Sequence, residues 1–272
     1  GLYPAFVLSS FKPAIVLKGA FKNSASGTQL RKVLVVVQFT ISIALMVGTG
    51  IVYQQMRFIY NADLGYSRDQ VITIQQTGNR VNNATTLKNE LLRNPSITHA
   101  GTASVRMGQQ LGRTAIIPEG SPSDVNIITS IMVADESFIP TMDMEILEGR
   151  NFSLQYDDSL SMIVNEEMLR LLKWKEGVGK KISLQTGPNP TDLTAYTIVG
   201  VVKDFHLATI RHKVEPMFML YNANNASLAV KVKAENIDET ILFMEETWKK
   251  VNAGSPFEYD FLDEQFANLY RN

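Results

Sequence analysis

Val33–Tyr53 reads VLVVVQFTISIALMVGTGIVY, and this stretch sets the organisation of the whole chain. It lies inside a run from Val33 to Met56 whose sole ionisable group is Tyr53. At about 1.5 Å per residue it forms a helix of roughly 32 Å, which matches the hydrocarbon core of a bilayer. The alternative is the central helix of a large soluble core, since Gln38, Thr40, Ser42 and Thr49 dilute the apolar character. The flanking charges argue for the membrane. Five basic residues (Lys12, Lys18, Lys22, Arg31 and Lys32) precede the stretch, and the first acidic residue of the chain is Asp63. Lys and Arg concentrate in short cytoplasmic segments, so the N-terminal side is expected in the cytoplasm and everything after Tyr53 outside. A cleavable signal is disfavoured because the apolar core is too long, no small-residue cleavage site follows, and another apolar segment precedes it.

The formal net charge of -1 hides an asymmetry. Beyond residue 56 there are 21 positive and 27 negative charges, which leaves the outer part mildly acidic and without a basic stripe. Nucleic acid is therefore not expected as a partner. The chain has no cysteine, which excludes a disulfide framework and a thiolate metal site. A cysteine-free outer domain fits a bacterial envelope. The chain opens without methionine inside an apolar segment, as a piece of a longer polypeptide would.

Working outward, residues 1–32 read as the end of a preceding span, GLYPAFVLSS, followed by a basic connector punctuated by Pro13, Gly19 and Gly27. Residues 33–56 are the transmembrane helix. On it Thr40, Ala44 and Gly48 recur at i, i+4 and i+8, a small-residue stripe of the kind that lets helices pack closely, although small residues are common in spans anyway. No helix breaker occurs before Gly65, so the helix is expected to continue as a stalk. Residues 57–104 then combine that stalk with a βαβ unit: strand Val71–Gln76, helix Asn82–Arg93 and strand Ile97–Ser104. The same order returns in residues 227–272, with strand Leu228–Lys233, helix Ile237–Val251 and strand Phe257–Leu262. Val71 to Thr98 is 27 positions and Val230 to Glu258 is 28, so the two stretches read as halves of one split ferredoxin-like unit. The chain closes on an amphipathic segment, Asp263–Tyr270, expected to begin a return stalk.

Residues 105–226 form an insertion of different texture. Strands are expected at Ile127–Ala134, Met144–Leu147, Lys180–Gln185 and Tyr196–Val202, a short helix at Glu166–Leu172, and a loop at Thr186–Asp192. The expected fold class is α+β: one transmembrane helix, then a split βαβ subdomain carrying an inserted, mostly β subdomain.

Motifs of catalysis are not found. A phosphate loop ending at Gly179-Lys180 would need glycine at Trp174 and a hydroxyl at Lys181. His99, His206 and His212 lack metal-ligand spacing, and Asp204 is the only suggestive neighbour. The pairs Asp157/Asp158, Glu166/Glu167, Glu245/Glu246 and Asp263/Glu264 are adjacent residues that point apart, so each reads as a solvated face or a helix N-terminus rather than an acid and base flanking one bond. There is no Gly-x-Ser-x-Gly elbow. No enzymatic activity, metal or cofactor is expected in this chain.

Several runs together resemble the MacB/FtsX-type ABC transporter permeases, in particular the two-repeat permeases of Bacteroidetes-like bacteria. They are GLYPAFVLSSFKPAIVLKG from Gly1, Leu30–Gln55, DESFIPTMDMEILEGRNF from Asp135, IVNEE from Ile163, YTIVGVVKDFH from Tyr196 and FEYDFLDEQFANLY from Phe257. The resemblance implies a periplasmic domain in which a porter-like βαβ subdomain is interrupted by a β-rich one called Sabre. Under it, 105–226 is Sabre-like, while 57–104 and 227–272 are porter-like. It also implies a bacterial inner-membrane location and a separate cytoplasmic ATPase that holds the ATP. Further implied partners are membrane lipid, a second copy or permease half, and a periplasmic or outer-membrane protein. The residues Gly149, Arg150, Asn165, Glu166, Gly200, Asp204 and Phe205 match family motifs, where turn glycines, caps and core aromatics are the favoured roles over substrate contact. The expected function is export or extrusion of a peptide, lipoprotein or drug-like substrate, driven by motion passed through a rigid helix. An envelope sensor with a periplasmic ligand-binding domain is the alternative. It would need a signalling module beside the span, where this chain has a connector of about 20 residues.

Overall fold

The computed structural model describes residues 25–60, 64–65, 67, 70–75, 84–105, 109, 111–122, 126–189, 191–206, 213–223, 225 and 227–268. The expected earlier span at Gly1–Ser10, the connector as far as residue 24, and His212 lie outside them. The chain divides into two compact units, residues 1–62 and 63–272.

The first unit carries α1 (Ala25–Tyr60), one unbroken helix of 36 residues. Within it Gln29–Arg57 is long and apolar enough to cross a membrane, and none of it is buried. Two of its hydroxyls are satisfied within the helix: Thr40 and Thr49 donate to the carbonyls of Val36 and Leu45, each at 2.8 Å. The helix starts eight residues before Val33, so Ala25–Lys32, expected as connector, is helical. No proline lies between Pro13 and the span, and Gly27 falls in the first turn, where nothing stops helix from propagating backward.

In the second unit the elements are β1 (Val71–Gln75), α2 (Ala84–Leu91), β2 (Ile97–Ala103), β3 (Gly112–Pro118), β4 (Ile127–Ala134), α3 (Phe138–Thr141) and β5 (Ile146–Gly149). Then follow β6 (Ser161–Asn165), α4 (Glu166–Leu172), β7 (Lys181–Gln185), β8 (Leu193–Val202) and β9 (Met217–Tyr221). Last come β10 (Ser227–Val232), α5 (Ile237–Val251), β11 (Glu258–Phe261) and α6 (Leu262–Asn268).

Four strands lie antiparallel in the order β11-β1-β10-β2, so the two βαβ stretches interleave in one sheet. The other strands run β4-β3-β7-β8-β6-β9, and a parallel pairing of β9 with β4 closes them into a ring of six. Among the described residues the sheet meets the ring where Ala103 of β2 pairs with Ala134 of β4, flanked by bonds from the Ser104 amide to the Val133 carbonyl at 2.7 Å and from the Asp135 amide to the Thr102 carbonyl at 3.0 Å. Along β8, β6 takes one edge, while β7 and then β5 share the other.

Three apolar cores follow from strand alternation. Ile72, Ile74, Leu228, Val230 and Val232 face α2 and α5, where Leu87, Leu91, Met244 and Trp248 cover them. Ile116, Met162, Val164, Ile182, Ile198 and Phe218 share a second core in the ring with Met168 and Leu169 of α4. The residues of opposite parity, Val71, Ala229, Ile163, Met217 and Met219, join Phe138, Met142, Phe205 and Leu262 in a third core.

Four elements have no counterpart in the sequence expectation: β3, α3, β6 and β9. Every residue of β6 is buried, and β9 contributes to two cores at once. Such strands are apolar on both faces and lose the alternation that marks a half-exposed strand.

Candidate functional site

Gly149 and Gly200 are directly paired across β5 and β8. Gly149 has φ +72°, and a Cβ on it would overlap the Val199 carbonyl oxygen. A Cβ on Gly200 would overlap the carbonyl oxygen of Arg150. The missing side chains thus let two backbones touch, which aims Arg150 into the β5–β6 connection. Its guanidinium grips Asp158 in a two-pronged bond of 2.9 and 2.7 Å, donates to the Asn151 carbonyl at 2.9 Å, and lies 4.3 Å from the centre of the Tyr156 ring. Asp158 also accepts from Ser161 Oγ at 2.6 Å and the Ser153 amide at 2.9 Å. Burial pushes the Asp158 carboxyl up, but the bonds from Arg150, Ser161 and Ser153 outweigh it and hold it at about 2. Its expected place on a solvated face or helix end is corrected, because its side chain is fully buried; Asp157 beside it is the exposed one.

Asn165, Glu166 and Asp204 meet at the junction of β6 with α4. Asn165 is fully buried and caps α4: its Oδ1 accepts from the Met168 amide at 3.1 Å and the Met217 amide at 3.0 Å, while its Nδ2 donates to the Glu215 carbonyl at 3.0 Å. One side chain therefore ties β6, α4 and the start of β9. Glu166 accepts from the Asp204 amide at 3.0 Å, and Asp204 reciprocates by accepting from the Glu167 amide at 2.9 Å. Arg170 on the next turn of α4 bridges Glu167 and Asp204. Asp204 thus faces an arginine and an amide. Among the described residues no group of three or more His, Asp or Glu could hold a metal.

Phe205 enters the third core, 2% exposed. The segment after α1 is clasped beside it. The His206 amide donates to the Leu64 carbonyl at 2.9 Å, and the Ser67 amide donates to the Met142 carbonyl at 2.8 Å.

A further cluster has no counterpart in the sequence expectation. Lys88 on α2 reaches out of its helix to Asp135 Oδ2 at 3.0 Å, Glu136 Oε1 at 2.6 Å and Ser137 Oγ at 3.2 Å. Tyr221 Oη donates to Glu136 at 3.4 Å, and Asn151 Nδ2 donates to the Glu136 carbonyl at 2.8 Å. Burial pushes Asp135 up, opposed by the Lys88 charge, whereas bonds from Lys88 override the burial of Glu136 and hold it below the usual range. The signal was Lys88 itself, a lysine one position from Leu87 on an amphipathic helix, but its partner lies 47 residues on. Thr40, Ala44 and Gly48 remain on α1, where a Cβ on Gly48 would meet nothing within 4 Å.

The polar joints thus lie at separate places: Lys88 with Asp135 where sheet and ring meet, Arg150 with Asp158 in the β5–β6 connection, and Asn165, Glu166 and Asp204 at the start of α4, and each holds one element against another. The chain is similar in fold to the periplasmic region of MacB from Actinobacillus actinomycetemcomitans, with 12% identity and a TM-score of 0.54 over 76% of this chain and 95% of that one. The extracellular domain of the ABC-type transporter YknZ from Gram-positive bacteria aligns with 11% identity and a TM-score of 0.48, over 70% and 98% of the two chains. No match was found among curated proteins. The family model of the MacB-like periplasmic core domain matches residues 33–239, more than half of the sequence and inclusive of the apolar helix, the ring and most of the sheet. The chain therefore belongs to the family of MacB-like periplasmic core domains.

Proposed function

We propose that this chain is part of the permease subunit of an ABC transporter, passing ATP-driven motion of a separate cytoplasmic ATPase through α1 to a periplasmic domain that acts in export or extrusion. The observation that carries this reading is a helix that runs from Ala25 to Tyr60 without a break, apolar and unburied over its central part, ahead of a MacB-like domain. A continuous helix moves as one body, whereas a flexible connector absorbs displacement. The positive residues before the span support a cytoplasmic N-terminal side, and the membrane in this reading is the bacterial inner one. The substrate class we favour is a peptide, lipoprotein or drug-like molecule.

In this reading residues 57–104 and 227–272 are the porter-like part, supported by the ferredoxin-like strand order β11-β1-β10-β2, and 105–226 is the Sabre-like part built on the closed ring. Gly149, Arg150, Asn165, Glu166, Gly200, Asp204 and Phe205 serve the fold rather than a substrate. Thr40, Ala44 and Gly48 serve packing against other membrane helices, including those of a second permease half. ATP stays on the partner subunit, and a periplasmic or outer-membrane protein completes the path.

Affinity purification of the full-length protein from its membrane tests this directly. An ATP-binding subunit is expected to copurify, and Gly48→Leu is expected to abolish the transport-linked phenotype. A full-length protein that recovers no ATPase would overturn the reading.

A further inference from the structure

The chain runs from α1 towards β1 through Leu64, Gly65 and Ser67, and the Leu64 carbonyl and the Ser67 amide both bond to segments that adjoin β8 and β5 of the ring. Leu64 is 3% exposed, and its carbonyl receives the His206 amide at 2.9 Å. Ser67 donates to Met142 at 2.8 Å. Gly65 between them has φ +77°, and a Cβ there would overlap the Asp204 carbonyl oxygen and approach Phe205 Cβ to 2.8 Å. The receiving residues are themselves braced: Asp204 by Glu166, the Glu167 amide and Arg170, and Phe205 by the core it shares with Met142. A backbone pressed into a braced backbone, with no side chain between, leaves no slack.

We infer that Leu64, Gly65 and Ser67 form a socketed coupling point, through which displacement of α1 is delivered to Asp204–His206 and α4 before it reaches the four-stranded sheet. The inference rests on the mechanical reading above and adds to it the place of delivery. Gly65, Asp204 and His206 are positioning residues in this scheme, acting through backbone contacts.

The test uses the full-length protein in lipid nanodiscs with its ATPase. A Gly-Ser-Gly insertion after Ala62 lies ahead of the socket, and the same insertion after Arg68 lies behind it. The first is expected to lower ATP-coupled activity about tenfold or more, and the second to leave it within about twofold, because a flexible insert absorbs motion only if it lies in the loaded path. Equal loss from both insertions overturns the inference. Hydrogen exchange supplies an arm independent of transport: the His206 amide is expected to be protected in both insertion variants and to lose that protection in Gly65→Val. Gly120→Ala controls for backbone strain alone, since Gly120 has φ +80° with nothing within 4 Å, and should keep His206 protected. Protection that survives Gly65→Val also overturns the inference. If the wild-type protein shows no ATPase coupling, the transporter reading fails instead, and the exchange comparison still decides the socket.

Discussion

Lys88 Nζ on α2 lies 3.0 Å from Asp135 Oδ2 at the end of β4, with 10% of the lysine side chain and none of the aspartate reaching solvent. This pair bridges the layer of helices over the sheet and the strand that enters the ring. Glu136 at 2.6 Å completes a charged cluster that fixes how the two parts meet.

Removing one partner of such a pair leaves an uncompensated buried charge, which costs about 3–5 kcal/mol. Lys88→Met is therefore expected to lower the Tm by roughly 6–20 °C for a domain of this size. Adding Asp135→Asn should recover part of the loss, because the stranded charge is then gone. Thermal unfolding followed by circular dichroism distinguishes the single from the double variant, and equal Tm values for both would contradict the pairing.

Asp158 links stability to acid. Its folded value of about 2 lies below the ordinary 3.8, so its contribution is present above 3.8 and is lost as pH falls towards 2. The size is about 2 kcal/mol at neutral pH. Denaturant titrations from pH 6 to pH 2 should show Asp158→Asn losing this dependence and converging on the wild type at the acid end. A constant gap across the whole range would refute the assignment. Arg150→Lys should show a partial loss, since an ammonium cannot reproduce the two-pronged bond.

Asn165 separates its donor from its acceptor role. Asn165→Ala strands the amides of Met168 and Met217 in a buried site and is expected to cost about 2–4 kcal/mol. Asn165→Asp keeps the acceptor but loses the donation to Glu215, so it should be the milder at neutral pH. Urea midpoints in the opposite order would show that the Glu215 contact matters more than the cap.

At Gly200 the obstacle is a backbone oxygen, which cannot rotate away. Gly200→Ala should destabilise by about 1–3 kcal/mol through forced separation of β5 from β8. Amide exchange should quicken at Arg150, whose N–H bonds the Val199 carbonyl at 2.9 Å. Unchanged exchange there would argue against the close approach.

What could be read along the chain is what short-range physics encodes. Twenty-odd uncharged residues commit Val33–Tyr53 to one long helix, and the alternation in Ile72, Ile74, Leu228 and Val230 marks strands with one face turned to helices. Ile237–Val251 was legible to the residue, because an amphipathic period over four turns needs no partner to be recognised. The motif residues could be named in the sequence, but their partners could not.

Tertiary structure alone decided the rest. Asp157 and Asp158 are neighbours of one type, yet one is exposed and the other lies buried under Arg150; only the fold of the β5–β6 connection tells them apart. Closure of the ring depends on β9 pairing with β4, whose partners such as Ser130 and Met217 are 87 positions apart, and on β6 and β9 being covered on both faces, which erases their periodicity. Lys88 finds Asp135, and Leu64 finds His206, across sequence separations that no local pattern spans. Helix and strand are written in neighbouring residues, whereas burial, charge pairing and close backbone contact are properties of who meets whom, and that is set when the whole chain packs.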